Sequence, residues 1–222
     1  MHATRFRPSA SGRDRVCARY HVISPIHELT DLLDAPFTLP TGWLAGDILP
    51  SNQAPVGLLG GWTTMKWGFV PPWVEDPAKA KIFINARSET VAELPSFRKA
   101  FRATRCIVPA DLFYEWKEVP VGTPSLFGGP ADRYEKQLMS FRMTSGRPFA
   151  MAGIYTRSKG GDRFAVLTCD PNALLGTIHD RMPCILDRLQ VQTWLEPNTP
   201  LEELEQLLTP YPASEMVGAD VR

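Results

Sequence analysis

Two rhythms of apolar and polar side chains run along this chain, one near the helical period and one near two. Ile26, Leu29, Leu32 and Leu33 fall on one helical face, behind Ser24 as N-cap and Pro25 at the first helical position. That spacing predicts a short helix ending near Asp34. From Trp43 to Trp73 glycine and proline interrupt the pattern repeatedly, and residues 65–70 read as a strand running into the Pro71-Pro72 turn. Residues 96–102 predict a helix carrying Arg98, Lys99 and Arg102, followed by strands over 106–108 and 112–117.

Residues 119–133 hold Pro120, Gly122, Pro124, Gly128, Gly129 and Pro130, which predicts a long loop rather than a domain boundary. Strand-like runs return at 137–143, 148–155 and 163–168, with Ser145-Gly146 and Gly160-Gly161 as turns. Asp170-Pro171 opens a predicted helix with Leu174, Leu175 and Ile178, and Asp187 caps another running towards Trp194. Thr199-Pro200-Leu201-Glu202 reads as a capping box ahead of Leu204, Leu207 and Leu208. With no internal repeat, the pattern predicts one α+β domain of short, curved antiparallel strands and roughly four or five peripheral helices.

Composition adds limits. The chain has 222 residues, 44% of them hydrophobic, which suits a buried core, and its 21 prolines fit many turns. Lys+Arg and Asp+Glu balance at 24 each, which excludes nucleic-acid binding by bulk positive charge but not by a local basic groove. No apolar run approaches the roughly 20 residues of a membrane helix. The basic N-terminus lacks the apolar segment of a secretory signal, so the expected location is the cytoplasm. Residues 1–16 read as a separate leader, rich in Arg, Ser and Pro, and without them the charge falls to 20 basic against 23 acidic residues, net −3.

Cys17, Cys106, Cys169 and Cys184 form no Cys-x-x-Cys pair, which argues against a disulfide framework and a structural zinc site. A zinc site from Cys17, His21 and His27 lacks a fourth ligand, so no metal is expected. Cys106, Cys169 and Cys184 sit in apolar, strand-like runs and read as packed core thiols. Cys17, between Arg15 and Arg19, has little apolar shelter in sequence.

Four strings concentrate chemistry: Cys17-Ala18-Arg19-Tyr20, residues 84–90 from Ile84 to Thr90, Phe113-Tyr114-Glu115-Trp116, and residues 178–183 from Ile178 to Pro183. His179 suits proton transfer or plain packing equally. Glu115 lies on a strand whose alternation buries either it and Phe113 or Tyr114 and Trp116, and burial would raise its pKa. Asn85 and Arg87 alternate with Ile84 and Ala86, so both can face one cavity or solvent. Trp62, Trp67 and Trp73 read as core-and-rim packing or as a base-stacking platform.

These strings, in this order, resemble the SOS-response-associated peptidase (SRAP) family, the abasic-site-processing proteins that attach to damaged single-stranded DNA. The resemblance spans residues 17–222 and includes the runs 67–73, 85–90, 106–111, 113–116 and 179–183. It implies a single domain with a barrel-like core of curved, antiparallel or mixed sheet. It implies Cys17 as nucleophile, Asn85 as its positioning partner, Glu115 as acid/base group and His179 as the group that helps open the sugar. Arg19, Arg87 and Arg181 would contact DNA, Thr168 would be a further site hydroxyl, and Trp67, Trp73 and Pro50 would form a DNA-facing rim. The implied partner is single-stranded DNA containing abasic sites, bound without cofactor, in the cytoplasm and at the nucleoid on damage; a monomer is expected, since threading one strand through one groove needs no symmetry. Two other activities stay open: a cysteine-dependent autopeptidase or thiol hydrolase, and a non-covalent single-strand-binding module.

The implied chemistry needs a free N-terminal cysteine. An α-amine has a pKa of about 7.7–8.0, well below lysine, so a useful fraction is neutral and attacks a sugar aldehyde. The thiol of the same residue then closes a five-membered thiazolidine. In the family this cysteine follows the initiator methionine directly, whereas here sixteen residues precede it. Two routes expose it: translation starting at Val16, from a GTG codon read as methionine and removed, or cleavage between Val16 and Cys17. Ala18 stands where the family usually has glycine, adding a methyl beside the nucleophile.

Overall fold

The computed structural model describes residues 17–24, 26–33, 45–76, 80–121, 133–158 and 160–221. Strand β1 (Tyr20–Val22) is followed by α1 (Ile26–Leu33), β2 (Gly46–Ile48) and a hairpin of β3 (Gln53–Leu58) and β4 (Gly61–Trp67). β5 (Asn85–Arg87) runs straight into α2 (Ser88–Val91), and α3 (Arg98–Ala103) leads to β6 (Arg105–Ala110) and β7 (Leu112–Val121). Then come β8 (Arg133–Met143), β9 (Phe149–Thr156), β10 (Arg163–Cys169), β11 (Met182–Pro183) and β12 (Ile185–Leu186). Helices α4 (Arg188–Leu195) and α5 (Leu201–Gln206) precede the last strand, β13 (Met216–Asp220).

The two sequence rhythms separate two kinds of strand. β6, β9 and β10 are apolar without alternation and buried at every position. They belong to a closed ring in which β4, β3, β6, β9 and β10 pair in turn, the parallel contact of β10 with β4 completing the circle. A five-strand ring cannot alternate direction throughout, so one parallel pair is required. One face of these strands fills the barrel, while α3 and α4 pack against β6 and β9. Crowding there explains Gly153 of β9: a Cβ would lie 2.9 Å from Cys106 Sγ and 3.3 Å from the Ala165 carbonyl.

β7 alternates instead, because it belongs to a second, five-stranded sheet in the order β13-β8-β7-β1-β2, with one face towards the core. Phe113 and Glu115 point inward and Trp116 outward. β5 pairs parallel with β10, Asn85 opposite Val166 and Arg87 opposite Thr168, which ties the 85–90 string to the barrel.

Three local expectations change. The helix expected from Asp170 is a single 3₁₀ turn, Leu175–Thr177, because the Asn172 side chain accepts the Leu174 and Leu175 N–H groups. Thr199 does not cap α5: its hydroxyl donates to the Thr193 carbonyl and Pro200 takes the N-cap position without a side-chain bond. The loop expected over 119–133 has strand at both ends, since β7 reaches Val121 and β8 starts at Arg133, and its middle lies outside the described residues. The Asp187 cap is present as a reciprocal box with Gln190. The leader, residues 1–16, also lies outside the described residues.

Candidate active site

The site is built where β1 meets β7. Tyr20 pairs with Phe113, and one step earlier the Tyr114 N–H donates to the Arg19 carbonyl, so the segment before β1 runs alongside Glu115. Cys17 reaches Glu115 there, its backbone N–H donating to Oε1 at 2.5 Å. Cys17 is fully buried, contrary to the exposure its charged sequence neighbours suggest, because Arg19 turns to the outer face of the sheet. Its backbone is left-handed, with φ +48°, a conformation L residues other than Asn and Asp seldom adopt. Burial, and then the Glu115 charge, push its thiol pKa well up.

Glu115 is 3% exposed. Burial, with a smaller contribution from Asp180, raises its pKa to about 8 against the opposing hydrogen bonds from the Cys17 and Trp116 N–H groups. Asp180 also meets His179, its Oδ1 2.9 Å from Nδ1. The same Nδ1 faces the Arg181 backbone N–H at 3.1 Å. Burial lowers the His179 pKa, Asp180 raises it and Arg181 lowers it again. One carboxylate therefore acts on both titratable groups and links the loop after β10 to β7.

Asn85 is half-buried on β5, Arg87 is exposed, and Arg87 forms no ion pair among the described residues. Thr168 is buried and its hydroxyl donates to the Ala86 carbonyl at 3.5 Å. Arg181 was expected at a phosphate, but it is 8% exposed and its guanidinium is held internally. It contacts Glu89 at 2.6 and 2.8 Å, Asp170 at 3.0 Å and the Thr168 carbonyl at 2.6 Å. Its charge is spent bracing α2 against the end of β10.

Arg19 is partly exposed but paired with Asp47 at 2.5 Å and stacked 4.3 Å above the Tyr114 ring, while Asp47 also meets His21 Nδ1 at 2.7 Å. Trp67 corrects another expectation. It belongs to no rim: it is fully buried, its Nε1–H donates to the Ile84 carbonyl, and its ring meets Tyr20 and Phe164. Trp73 is 59% exposed and Pro50 half-buried. Trp116, named in the sequence only as a strand neighbour of Glu115 and given no site role, is 52% exposed beside it. The strand alternation held that signal, since an inward Glu115 forces Trp116 outward.

Among the described residues no cluster of three or more His, Cys, Asp or Glu side chains is arranged to hold a metal. None of their helices is long and apolar enough to cross a membrane.

Comparison with known proteins gives the family. The family model described as SOS response associated peptidase (SRAP) matches residues 16–222. Abasic site processing protein YoaM of Bacillus subtilis (strain 168) is 33% identical over 221 residues, covering 93% of this chain and 91% of its own. Abasic site processing protein HMCES of Xenopus tropicalis is 33% identical over 147 residues, 60% of this chain and 44% of that protein. A solved structure from Bacteroides thetaiotaomicron has a TM-score of 0.78 at 24% identity, covering 93% of this chain and 92% of that one. Another, from Bordetella bronchiseptica, has a TM-score of 0.74 at 25% identity, covering 93% and 100%. With the family match running from Val16 through β13 and the site formed by the strings that carry the likeness, the chain belongs to the SRAP family.

Proposed function

We propose that this protein captures abasic sites in single-stranded DNA as a covalent thiazolidine on Cys17, once Cys17 is the first residue. The observation that carries the reading is the Cys17 nitrogen 2.5 Å from a buried carboxyl whose pKa is near 8. A terminal amine at that nitrogen, ordinarily with a pKa of about 7.7–8.0, would titrate with this carboxyl as one coupled unit and pass it a proton directly. The relatives named abasic site processing proteins support the substrate.

The steps balance. The neutral amine adds to the aldehyde carbon of the opened sugar, and the carbinolamine loses water to an imine. The thiol then adds to the imine carbon, its proton passing to nitrogen, so aminothiol and aldehyde give thiazolidine and one water. Glu115 moves protons at the nitrogen, and His179 acts on the sugar oxygen as the ring opens. The left-handed φ of Cys17 supports removal of the leader. That angle is defined only while a peptide bond precedes the residue, so trimming relieves about 1–2 kcal/mol of strain. The family match beginning at Val16 makes Cys17 its second residue, in line with a start there. A thiol hydrolase working through an internal Cys17 is disfavoured, because the buried thiol ionises poorly.

The test uses protein that begins at Cys17. It should give a heat-stable, single-turnover adduct with an abasic single strand, abolished by acetylating the α-amine. Cys17→Ser should give only an imine that borohydride traps. Adduct formation by an acetylated amine would overturn the reading.

A further inference from the structure

The formal charge of this chain is zero, and two arginines expected at DNA, Arg19 and Arg181, already face carboxylates. Affinity for a polyanion has to come from elsewhere on the surface. Helix α3 presents Arg98, Lys99 and Arg102 to solvent, and none of the three forms an ion pair among the described residues. Arg157, just past β9, is exposed as well, 5.9 Å from the Tyr155 ring centroid.

Two of these cations, Lys99 and Arg157, border cavities. One, of about 220 Å³, lies between Phe69, Pro72, Lys99 and Arg157, and the exposed Trp73 follows Pro72 in the chain. The other, of about 430 Å³, reaches Trp62 and the β3–β4 turn at Gly60. The two are adjacent, sharing Ala103, Tyr155 and Arg157, and no carboxylate lines either. Arg105 also lines the larger cavity, but its guanidinium is taken by four backbone carbonyls at the ends of α3 and α4. Its charge ties the two helices together and is not free for a phosphate.

We infer that these two adjacent cavities, from beside Trp73 past Lys99 and Arg157 to Trp62, together carry the single strand of DNA onward from the lesion. A path of unpaired cations for phosphates, with aromatic faces at its ends and no acidic lining, is what sequence-independent single-strand binding requires. The inference rests on the reading of the protein as a single-strand-binding DNA-capture protein and adds where the flanking strand lies.

The test compares protein that begins at Cys17 with its Lys99→Ala/Arg157→Ala variant, both positions being exposed, and with Lys99→Gln/Arg157→Gln as a milder pair. The probes are lesion-free oligodeoxythymidylates of about 4 and about 16 nucleotides, the ends of the usual single-strand site sizes. Fluorescence anisotropy gives Kd as a function of salt. The double variants should lose about 1.4 from the log–log salt slope on the long strand, about 0.7 for each phosphate contact. The short strand should bind unchanged, and the rate of lesion capture at saturation should stay the same. An unchanged slope and affinity on the long strand, in variants that melt like the parent, overturns this path while leaving lesion capture standing. Failure of the parent to retain any strand overturns both.

Discussion

The backbone nitrogen of Cys17 lies 2.5 Å from Oε1 of Glu115, across a sequence separation of 98 residues and wholly inside the protein. A carboxyl so placed controls stability as well as chemistry. Its folded pKa of about 8 stands above its ordinary 4.5, so between those values the folded state holds a proton that the unfolded chain has released. Stability from this group is therefore complete below about pH 4.5 and is lost as pH rises through about 8, by about 1.4 kcal/mol per unit at most. Melting temperature should fall across that window in the parent and much less in Glu115→Gln, which mimics the neutral acid. A melting profile equally steep in both proteins contradicts the assignment.

Tyr20 offers a stability test of opposite sign. Its hydroxyl is buried with no hydrogen-bond partner among the described residues, while its ring packs edge-on to Trp67. A buried, unsatisfied hydroxyl costs about 1–3 kcal/mol. Tyr20→Phe keeps the ring and should raise the denaturation midpoint. A lowered midpoint would mean that the hydroxyl has a partner.

Two arginines of the family strings should behave differently. Arg181 is tied to Glu89, Asp170 and the Thr168 carbonyl, so Arg181→Met should cost about 2 kcal/mol. That is below the 3–5 of a fully buried pair, since Glu89 and Asp170 are largely exposed. Its salt slope for DNA should not change. Arg87 is exposed, and Arg87→Ala should leave the midpoint alone and cut the slope by about 0.7. Chemical denaturation and salt titration of both variants check the contrast.

His179 Nδ1 faces both an N–H of Arg181 and a carboxylate oxygen of Asp180. An unsatisfied, partly buried N–H costs about 1–3 kcal/mol, whereas an exposed carboxylate contact is worth about 0–1. The neutral ring therefore accepts from Arg181 at Nδ1 and carries its hydrogen on Nε2, and the cation turns its Nδ1–H to Asp180. Nitrogen chemical shifts of the ring should report the Nε2–H tautomer at high pH. Asp180→Asn should lower the His179 pKa and that of Glu115 without changing the tautomer.

Much of this was legible before any coordinates. The continuous apolar runs at 148–155 and 163–168 are barrel strands buried on both faces, and the alternation around Glu115 marks a strand with one outer face. What the sequence hid was long-range. Asn172 captures the N–H groups that a helix from Asp170 needs, so only one turn forms. Arg181 looks like a phosphate contact until Glu89, 92 residues away, is folded against it. Trp67 resembles Trp73 in its string, yet β4 carries one into the core while the Pro71-Pro72 turn leaves the other in solvent. Cys17 is buried by β7, which no neighbour in sequence reveals.

The central claim is that nitrogen and sulfur of one cysteine jointly hold the lesion, and intact mass reads this directly. Protein beginning at Cys17, incubated with a single strand bearing one abasic site, should gain the mass of that strand less one water. The Glu115→Gln variant should gain it more slowly. Unchanged protein mass, or an adduct that forms equally well with the leader still attached, would contradict the account.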